Sequence, residues 1–318
     1  MKLQTTLLLL TQLLGSNAFA PGPVSFHRRA SRLFAEGGPP QYDKIEAVLR
    51  EAEVVSKGSV MLHIDTEESI EYKPGHVLAL EIQGDVKQMD ENDKSKQDAI
   101  QNGGWLRGPY TVSRSTENSL DILIKVVGDK SKVLAEAESG TPLKFGGKFK
   151  VPIVDGIEKE STKRVVFIST GVGVGPCVGA VEAALKDESF PPVELCANYR
   201  TKEEVIYGDY LDELQANNEG RFSWKAIISS EGGRLSESEE NLQAIVYAEG
   251  LELNDTHYHL IGNGQLVNEF KAGLAKASVP DDKVTVESYF NHKEAVRDDV
   301  IDRIANVIAS TACVEAAV

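Results

Sequence analysis

The sequence predicts a two-domain fold, an antiparallel β-barrel followed by an α/β domain built on a parallel sheet. Three observations predict it. Between Ile45 and about Phe149, short alternating or apolar runs such as "SVMLHI", "HVLALEIQ", "YTVSRS" and "LDILIKVV" are separated by turn residues, the pattern of antiparallel strands closing on themselves. From Arg164 onward, strand-like "RVVFIS", "VELCAN", "FSWKAIIS", "THYHLIG" and "KVTVESYF" alternate with helix-like segments that begin near Pro176, Lys202, Ser238 and Gly264. Such alternation implies parallel strands covered by helices. Third, residues 165–185, "VVFISTGVGVGPCVGAVEAAL", run from an apolar strand through a glycine turn into a helix.

The barrel is assigned to residues 42–150 and the α/β domain to 160–290, joined near 151–163. The polar stretch 84–104, "GDVKQMDENDKSKQDAIQNGG", reads as a long surface loop in the barrel. After Phe290, "EAVRDDVIDRIANVIAS" places Val296, Val300, Ile304 and Ile308 at intervals of four with Ile301 beside them. That spacing predicts an amphipathic helix in a C-terminal extension, 291–318. Three roles are open to it: packing on the body, covering a ligand or binding a partner.

Residues 1–36 read as an address and are excluded from the fold. Lys2 precedes a leucine-rich core, "GSNAFA" supplies a cleavage point, and an acid-free stretch with Ser and Arg follows to Ala35. A signal peptide followed at once by transit-peptide chemistry resembles the bipartite presequence of algae with secondary, red-derived plastids, with Ala18-Phe19-Ala20-Pro21 as the junction. The expected location is therefore the plastid (chloroplast); a plain secretory signal before a basic end is the alternative.

Charge narrows the partners. The 318-residue chain carries a net −15; residues 1–35 hold Lys2, Arg28, Arg29 and Arg32 and no acid, which leaves 30 basic against 49 acidic residues in the remainder. A body that acidic repels nucleic acid and anionic membrane. It also disfavours an acidic protein partner unless a basic patch is set apart; Lys144, Lys148, Lys150, Lys159, Lys163 and Arg164 are a local group that is either such a docking face or solvated strand ends. No apolar run approaches the roughly 18 residues of a membrane helix. Cys177, Cys196 and Cys313 show no metal or cluster spacing, and their odd number fits a reducing compartment. His257 and His259 face one side of a strand but lack further ligands, so no metal site is expected.

The glycine turn is where chemistry concentrates. Gly171, Gly173 and Gly175 stand at spacing two after Thr170, and Pro176 follows, where a dinucleotide fingerprint would place glycine. Proline suits the first turn of a helix, glycines allow close backbone approach, and a helix N-terminus attracts a pyrophosphate. A strand–helix turn with no ligand is the competing reading. Cys177 at the helix start is either a thiol of lowered pKa or a small packing residue.

Six segments in order resemble the ferredoxin–NADP reductase superfamily, and its bacterial-type flavodoxin/ferredoxin reductase branch above all. "STGVGVGP" is similar to the family's nicotinamide-nucleotide loop, "YKPGHVLAL" to its Pro-Gly-Gln strand entry and "GPYTVSRS" to its Arg-x-Tyr-Ser/Thr flavin motif. "VVGDKSKVLAEAESGTPLKFGGKF" resembles its Gly-x-x-Ser turn and following strand, "IGNGQLVNEF" its Cys-Gly-Asn-Pro segment, and "VESYF" its Glu-x-Tyr-aromatic ending. The resemblance covers about 45–290.

It implies a flavin oxidoreductase that moves hydride between NAD(P)H and FAD and electrons to a separate one-electron acceptor such as ferredoxin. Alternatives are a reductase for a small acceptor, a haem protein or a quinone, and a non-enzymatic plastid interaction protein on the same fold. It implies that Tyr110 lies against the flavin ring or hydrogen-bonds its ribityl chain, and that the Thr111 hydroxyl reaches flavin N5. Val112 and Ser113 belong to the same motif, and Gly128, Lys130 and Ser131 approach the pyrophosphate. On the nucleotide side it implies Thr170, Gly171, Gly173, Gly175, Pro176, Gly262, Asn263 and Gln265. Glu287 is implied near the nicotinamide, and Tyr289 or Phe290 as the ring on the flavin. Arg200 and Arg234 match arginines that bind a 2′-phosphate, which favours NADPH over NADH. One departure stands out: the family's flavin-motif arginine is Gly108 here, and Arg107 and Arg114 are the candidates to replace its charge. If neither does, flavin binds weakly or is the smaller FMN. A monomer is expected.

Overall fold

The computed structural model describes residues 42–85, 89, 94–246, 253–290 and 293–313. The presequence assigned to residues 1–36 lies outside the described residues. The described residues from Asp43 onward pack as one compact unit containing two sheets.

The first sheet has seven strands: β1 (Ile45–Ser56), β2 (Ser59–Thr66), β3 (Val77–Gln83), β4 (Trp105–Thr111), β5 (Arg114–Ser115), β6 (Ser119–Lys125) and β7 (Pro142–Gly146). Their order is β4-β3-β7-β1-β2-β6-β5 and every pairing is antiparallel. The sheet curls into a half-barrel around Leu49, Leu62, Ile64, Leu78, Leu80 and Phe145, all buried. Period two puts Leu62 and Ile64 of β2 and Leu120, Ile122 and Ile124 of β6 on the face turned to this core, while Met61 and Leu123 face the other way into a second core.

The stretch predicted as a bare loop is not one. Helix α1 (Lys94–Gln101) forms within it, and Ala99, fully buried, docks it on the core together with Met89. Two small anchors in a charged run leave too faint a periodicity to read. A second short helix, α2 (Asp129–Ala135), follows β6.

The second sheet has five parallel strands in the order β10-β9-β8-β11-β12. They are β8 (Arg164–Thr170), β9 (Val193–Tyr199), β10 (Phe222–Ile228), β11 (Thr256–Asn263) and β12 (Val284–Phe290). Central β8 is almost wholly buried, as a strand covered on both faces must be. On one face lies α3 (Val174–Leu185); on the other lie α5 (Glu239–Val246), α6 (Gly264–Lys276) and α7 (Asp298–Cys313). Helix α4 (Gly208–Asn217), near β10, starts after Tyr207, whose positive φ sets the bend; only a single 3-10 turn forms at Lys202, where the sequence pattern starts its helix. The C-terminal extension is helical and packs on the body, but its helix begins at Asp298. Val296 stays outside it and exposed, while Val300, Ile304 and Ile308 are buried.

Candidate active site

The carboxyl ends of β8, β9 and β11 open onto a cleft of about 270 Å³ lined by Thr170, Gly171, Asn198, Arg200, Arg234, Asn263, Gln265 and Phe290, among others. Ends of parallel strands at such an edge are the usual ligand position in α/β sheets. Gly171 has φ +50°, and a Cβ there would meet nothing within 4 Å, so its backbone faces open space. The other glycines of the turn are closed in. A Cβ on Gly173 would come within 3.0 Å of the Ile261 carbonyl, and one on Gly175 within 2.5 Å of Ser113 Oγ. Gly262 holds φ +121° with a Cβ position 2.2 Å from Thr170 Oγ1. Gly171 alone offers backbone to a ligand; Gly173, Gly175 and Gly262 let β8, β11 and the half-barrel approach one another. Pro176 and Cys177 are buried in the first turns of α3, and burial pushes the Cys177 thiol up, which makes it a packing residue.

Asn263 caps α6. Its Oδ1 accepts from the N–H groups of Gln265 and Leu266 at 2.9 and 3.3 Å, and its own N–H donates to Thr170 Oγ1 at 2.7 Å. Arg200 and Arg234 are exposed in the cleft. Glu204 lines the same cleft and accepts from the Arg200 N–H at 3.1 Å. Ser230 donates its N–H to the Arg200 carbonyl at 3.0 Å.

The half-barrel meets this edge at Thr111. Its hydroxyl donates to Glu287 Oε1 at 2.5 Å, and both side chains are buried. Glu287 pairs in register with Ile261, whose carbonyl faces Gly173, so Thr111, Glu287 and the glycine turn are consecutive in space. Burial raises the Glu287 carboxyl above the usual range, against Lys150 and the Thr111 hydroxyl, which pull it down. Lys150 is held there by donating to the Val286 carbonyl at 3.2 Å. Tyr289 is half-buried against the core beside α3 and is a hydrogen-bond neighbour of Thr111; its phenol is raised, first by burial and then by Glu287. Phe290 instead faces the cleft, 39% exposed. Of the two candidate rings, Tyr289 is the one at Thr111.

The remaining predicted residues divide. Tyr110 is half-buried with Gly108 on the same face of β4. A Cβ on Gly108 would meet Lys130 Nζ at 2.3 Å and Tyr110 Cε2 at 3.2 Å. The ammonium of Lys130 thus fills the place a side chain at 108 would take. It donates to the Arg107 carbonyl at 3.1 Å and stands 5.8 Å from the Tyr110 ring centre. Ser131 Oγ accepts from the N–H groups of Val127 and Gly128 at 2.9 and 3.0 Å, fixing the turn into α2. Val112 and Ser113 are turned inward, and their N–H groups donate to His76 and Asp121 carbonyls. Arg107 points away from Gly108, with its Nε 3.8 Å from Glu81. Arg114 makes a two-pronged bond to Glu182 of α3, 2.9 Å from Nε and 2.6 Å from Nη2, and lies over the Tyr207 and Tyr210 rings. It lines a separate groove of about 690 Å³ whose charges pair locally, Lys73 with Asp155 and Lys159 with Asp187.

The sequence marked Lys150 only as one of a basic group, and it marked neither Glu204 nor the role of Gly175 in joining the sheets. His257 and His259 both hydrogen-bond Thr285 Oγ1, at 3.0 and 2.8 Å, inside the fold. The described residues contain no group of three or more His, Cys, Asp or Glu placed to hold a metal, and no helix long and apolar enough to cross a membrane. The basic group is dispersed: Lys144 pairs with Glu46, Lys159 with Asp187 and Lys163 with Asp255, while Arg164 is buried against Glu194.

Residues 167–271 match the family model for an oxidoreductase NAD-binding domain. The flavohemoprotein of Candida norvegensis is 26% identical over 177 residues, 55% of this chain and 42% of that one. The chain therefore spans less than half of that relative. Among solved structures, a ferredoxin NADP+ reductase from Neisseria gonorrhoeae with bound FAD and NADP matches with a TM-score of 0.63 at 16% identity, over 79% of this chain and 100% of that one. Flavohemoglobin from Malassezia yamatoensis, with bound FAD and heme, matches with a TM-score of 0.62 at 18% identity, over 78% and 60%. A curled antiparallel half-barrel followed by a five-stranded parallel sheet is the fold they share with this chain.

Proposed function

We propose that this chain, which has the ferredoxin–NADP reductase-like fold and carries an oxidoreductase NAD-binding domain, is an FAD-dependent NAD(P)H oxidoreductase that delivers electrons to a separate one-electron acceptor. The observation that carries the reading is the 2.5 Å hydrogen bond from Thr111 to Glu287, which joins the half-barrel to the carboxyl edge of the parallel sheet at a single point.

The residues present fit a flavin. Tyr110 offers an aromatic face, and the side-chain space at Gly108 holds an ammonium beside it. Tyr110, Thr111 and Lys130 would hold the flavin, with Lys130 replacing the charge that Gly108 lacks. Arg107 and Arg114 are turned to Glu81 and Glu182. A bound flavin supplies exchange between two-electron and one-electron chemistry. The chain's own residues do the rest. Gly171 and the start of α3 receive the nucleotide pyrophosphate. Arg200 and Arg234 receive a ribose 2′-phosphate, which favours NADPH over NADH. Tyr289 excludes water at Thr111 and yields to the nicotinamide. Glu287 holds a proton at Oε1 or Oε2 over a wider pH range than an ordinary glutamate and keeps the Thr111 hydroxyl oriented. Orientation of this kind is a major share of catalysis when two reactants must meet face to face.

The acceptor is a small molecule, a haem protein or a ferredoxin. The pairing of Lys144, Lys159 and Lys163 with local carboxylates favours the first two, because it leaves no concentrated basic face for an acidic partner. We further propose that the chain is monomeric and that residues 1–36 direct it to a plastid; a fusion of that segment to a fluorescent protein, located in an alga with a red-derived plastid, tests the latter. Anaerobic titration of the purified protein with NADPH and NADH tests the activity. Bleaching of a bound flavin, at lower concentration for NADPH, is expected. A colourless protein that oxidises neither nucleotide would leave only a binding role on this fold.

A further inference from the structure

The extension after Phe290 is seated in the fold. Val300, Ile304, Val307 and Ile308 of α7 are buried in the same core as Leu235, Leu242 and Phe270. A Cβ at Gly273 of α6 would lie 2.5 Å from Ile304, so a glycine there lets the two helices close fully. Arg297, just ahead of α7, satisfies the buried Glu269 with three bonds: its backbone N–H at 3.2 Å, Nε at 2.8 Å and Nη2 at 3.1 Å. Withdrawing the extension would strand that carboxylate, a costly outcome for a buried charge.

Asp302 pairs with Lys276 at 2.5 Å and the Ala295 carbonyl accepts from Gln265 at 3.1 Å, while the extension's two arginines converge on one short segment. Arg297 Nη1 donates to Glu237 at 2.9 Å, and Arg303 Nη1 donates to the Ser236 carbonyl at 3.2 Å. Glu237 accepts in turn from the backbone N–H of Arg234 at 3.5 Å and donates its own N–H to the Arg234 carbonyl at 2.8 Å. Leu235 and Ser236 are buried. The 3-10 turn Leu235–Glu237 is thus gripped by the core on one side and by the extension's two arginines on the other. Arg234 leads straight out of it into the cleft, behind Gly233 with φ +78°.

We infer that Arg297 and Arg303 are positioning residues for nucleotide selectivity: they fix the turn that aims Arg234 at the ribose 2′ substituent, so the C-terminal extension sets the preference for a 2′-phosphorylated nucleotide. This rests on the proposed reading of the cleft. Arg297 also lines the cleft, whereas Arg303 does not, so Arg303 reports positioning free of direct contact.

The test is calorimetric titration of the full chain with NADP+ and with NAD+, alongside thermal melting, for wild type, Arg303→Met, Arg303→Lys and Arg297→Lys. In Arg303→Met the NADP+ dissociation constant rises roughly threefold to tenfold, the equivalent of one lost hydrogen bond, while that for NAD+ is unchanged. Arg303→Lys, which still donates to the Ser236 carbonyl, restores most of the difference. Loss of packing alone would move melting and both constants together. Should Arg303→Met melt below the assay temperature, Glu237→Gln at an exposed side chain reads the same ratio. A wild type that prefers NADP+ with variants that keep its ratio overturns the inference and leaves the cleft reading intact. A wild type that binds the two nucleotides equally, or neither, overturns the cleft reading and the inference with it.

Discussion

Replacing Lys130 with methionine tests the proposed flavin site, whose motif lacks its arginine. Methionine keeps most of the stem and removes the charge. The ammonium sits where a Gly108 side chain would be, 2.3 Å from the Cβ position, and beside the Tyr110 ring. A hydrogen bond to a charged group contributes about 1.5–3 kcal/mol, so losing one to a phosphate weakens FAD by about 10- to 150-fold. The assay is fluorescence titration of flavin-free protein with FAD and with riboflavin, which has no phosphate. FAD affinity falls and riboflavin affinity holds. The double variant Gly108→Arg with Lys130→Ala moves the charge to the strand and recovers FAD binding, since Gly108 has no positive φ to forbid a side chain. Equal losses for FAD and riboflavin, or no loss for either, would refute the assignment of Lys130 to the phosphates.

Glu287→Gln removes the carboxyl that touches Thr111. The pH profile of flavin reduction has a limb above the ordinary carboxylate range in wild type and none in the variant; a limb that survives belongs to another group. Gly179→Ala puts a Cβ 1.8 Å from the Ser113 carbonyl, so α3 must back away from the half-barrel. Overpacking of that kind costs about 1–3 kcal/mol, and the urea midpoint drops accordingly; an unchanged midpoint would show that the sheets are not held there. His257 and His259 are held neutral by burial, with pKa values lowered to about 4 and about 3 from 6.5. The unfolded chain takes up protons that the folded one refuses, so stability present above pH 6.5 is lost as pH falls below it, by about 1.4 kcal/mol per unit per histidine. Urea melts at stepped pH show that slope, and the double variant His257→Gln, His259→Gln flattens it; an equally steep variant would place the acid lability elsewhere.

Both sheets were legible because each obeys a simple period. Strands β2 and β6 carry polar residues among their apolar ones and β8 is a solid apolar run, which separates an antiparallel sheet from a parallel sheet covered on both faces. The glycine turn was legible as a turn but not as three separate jobs. Spacing cannot reveal that Gly171 faces open space while Gly173 and Gly175 face Ile261 and Ser113, because those neighbours lie far away in the chain. For the same reason Arg107 and Arg114 stood out beside Gly108 in sequence, whereas Lys130, on another element, takes the space. Period four in the extension announced a helix, but its seat against Gly273 and the Arg234 turn depends on residues some 30 to 60 positions earlier.

The central claim is that Thr111 marks the point where flavin and nicotinamide meet, and single-turnover reduction tests it most directly. Anaerobic mixing of the flavin-loaded protein with NADPH, and with NADPH deuterated at nicotinamide C4, should bleach the flavin more slowly for the deuterated donor. Thr111→Val should slow bleaching on the order of 100-fold with flavin content and NADPH affinity preserved. Bleaching of the variant at the wild-type rate would contradict it.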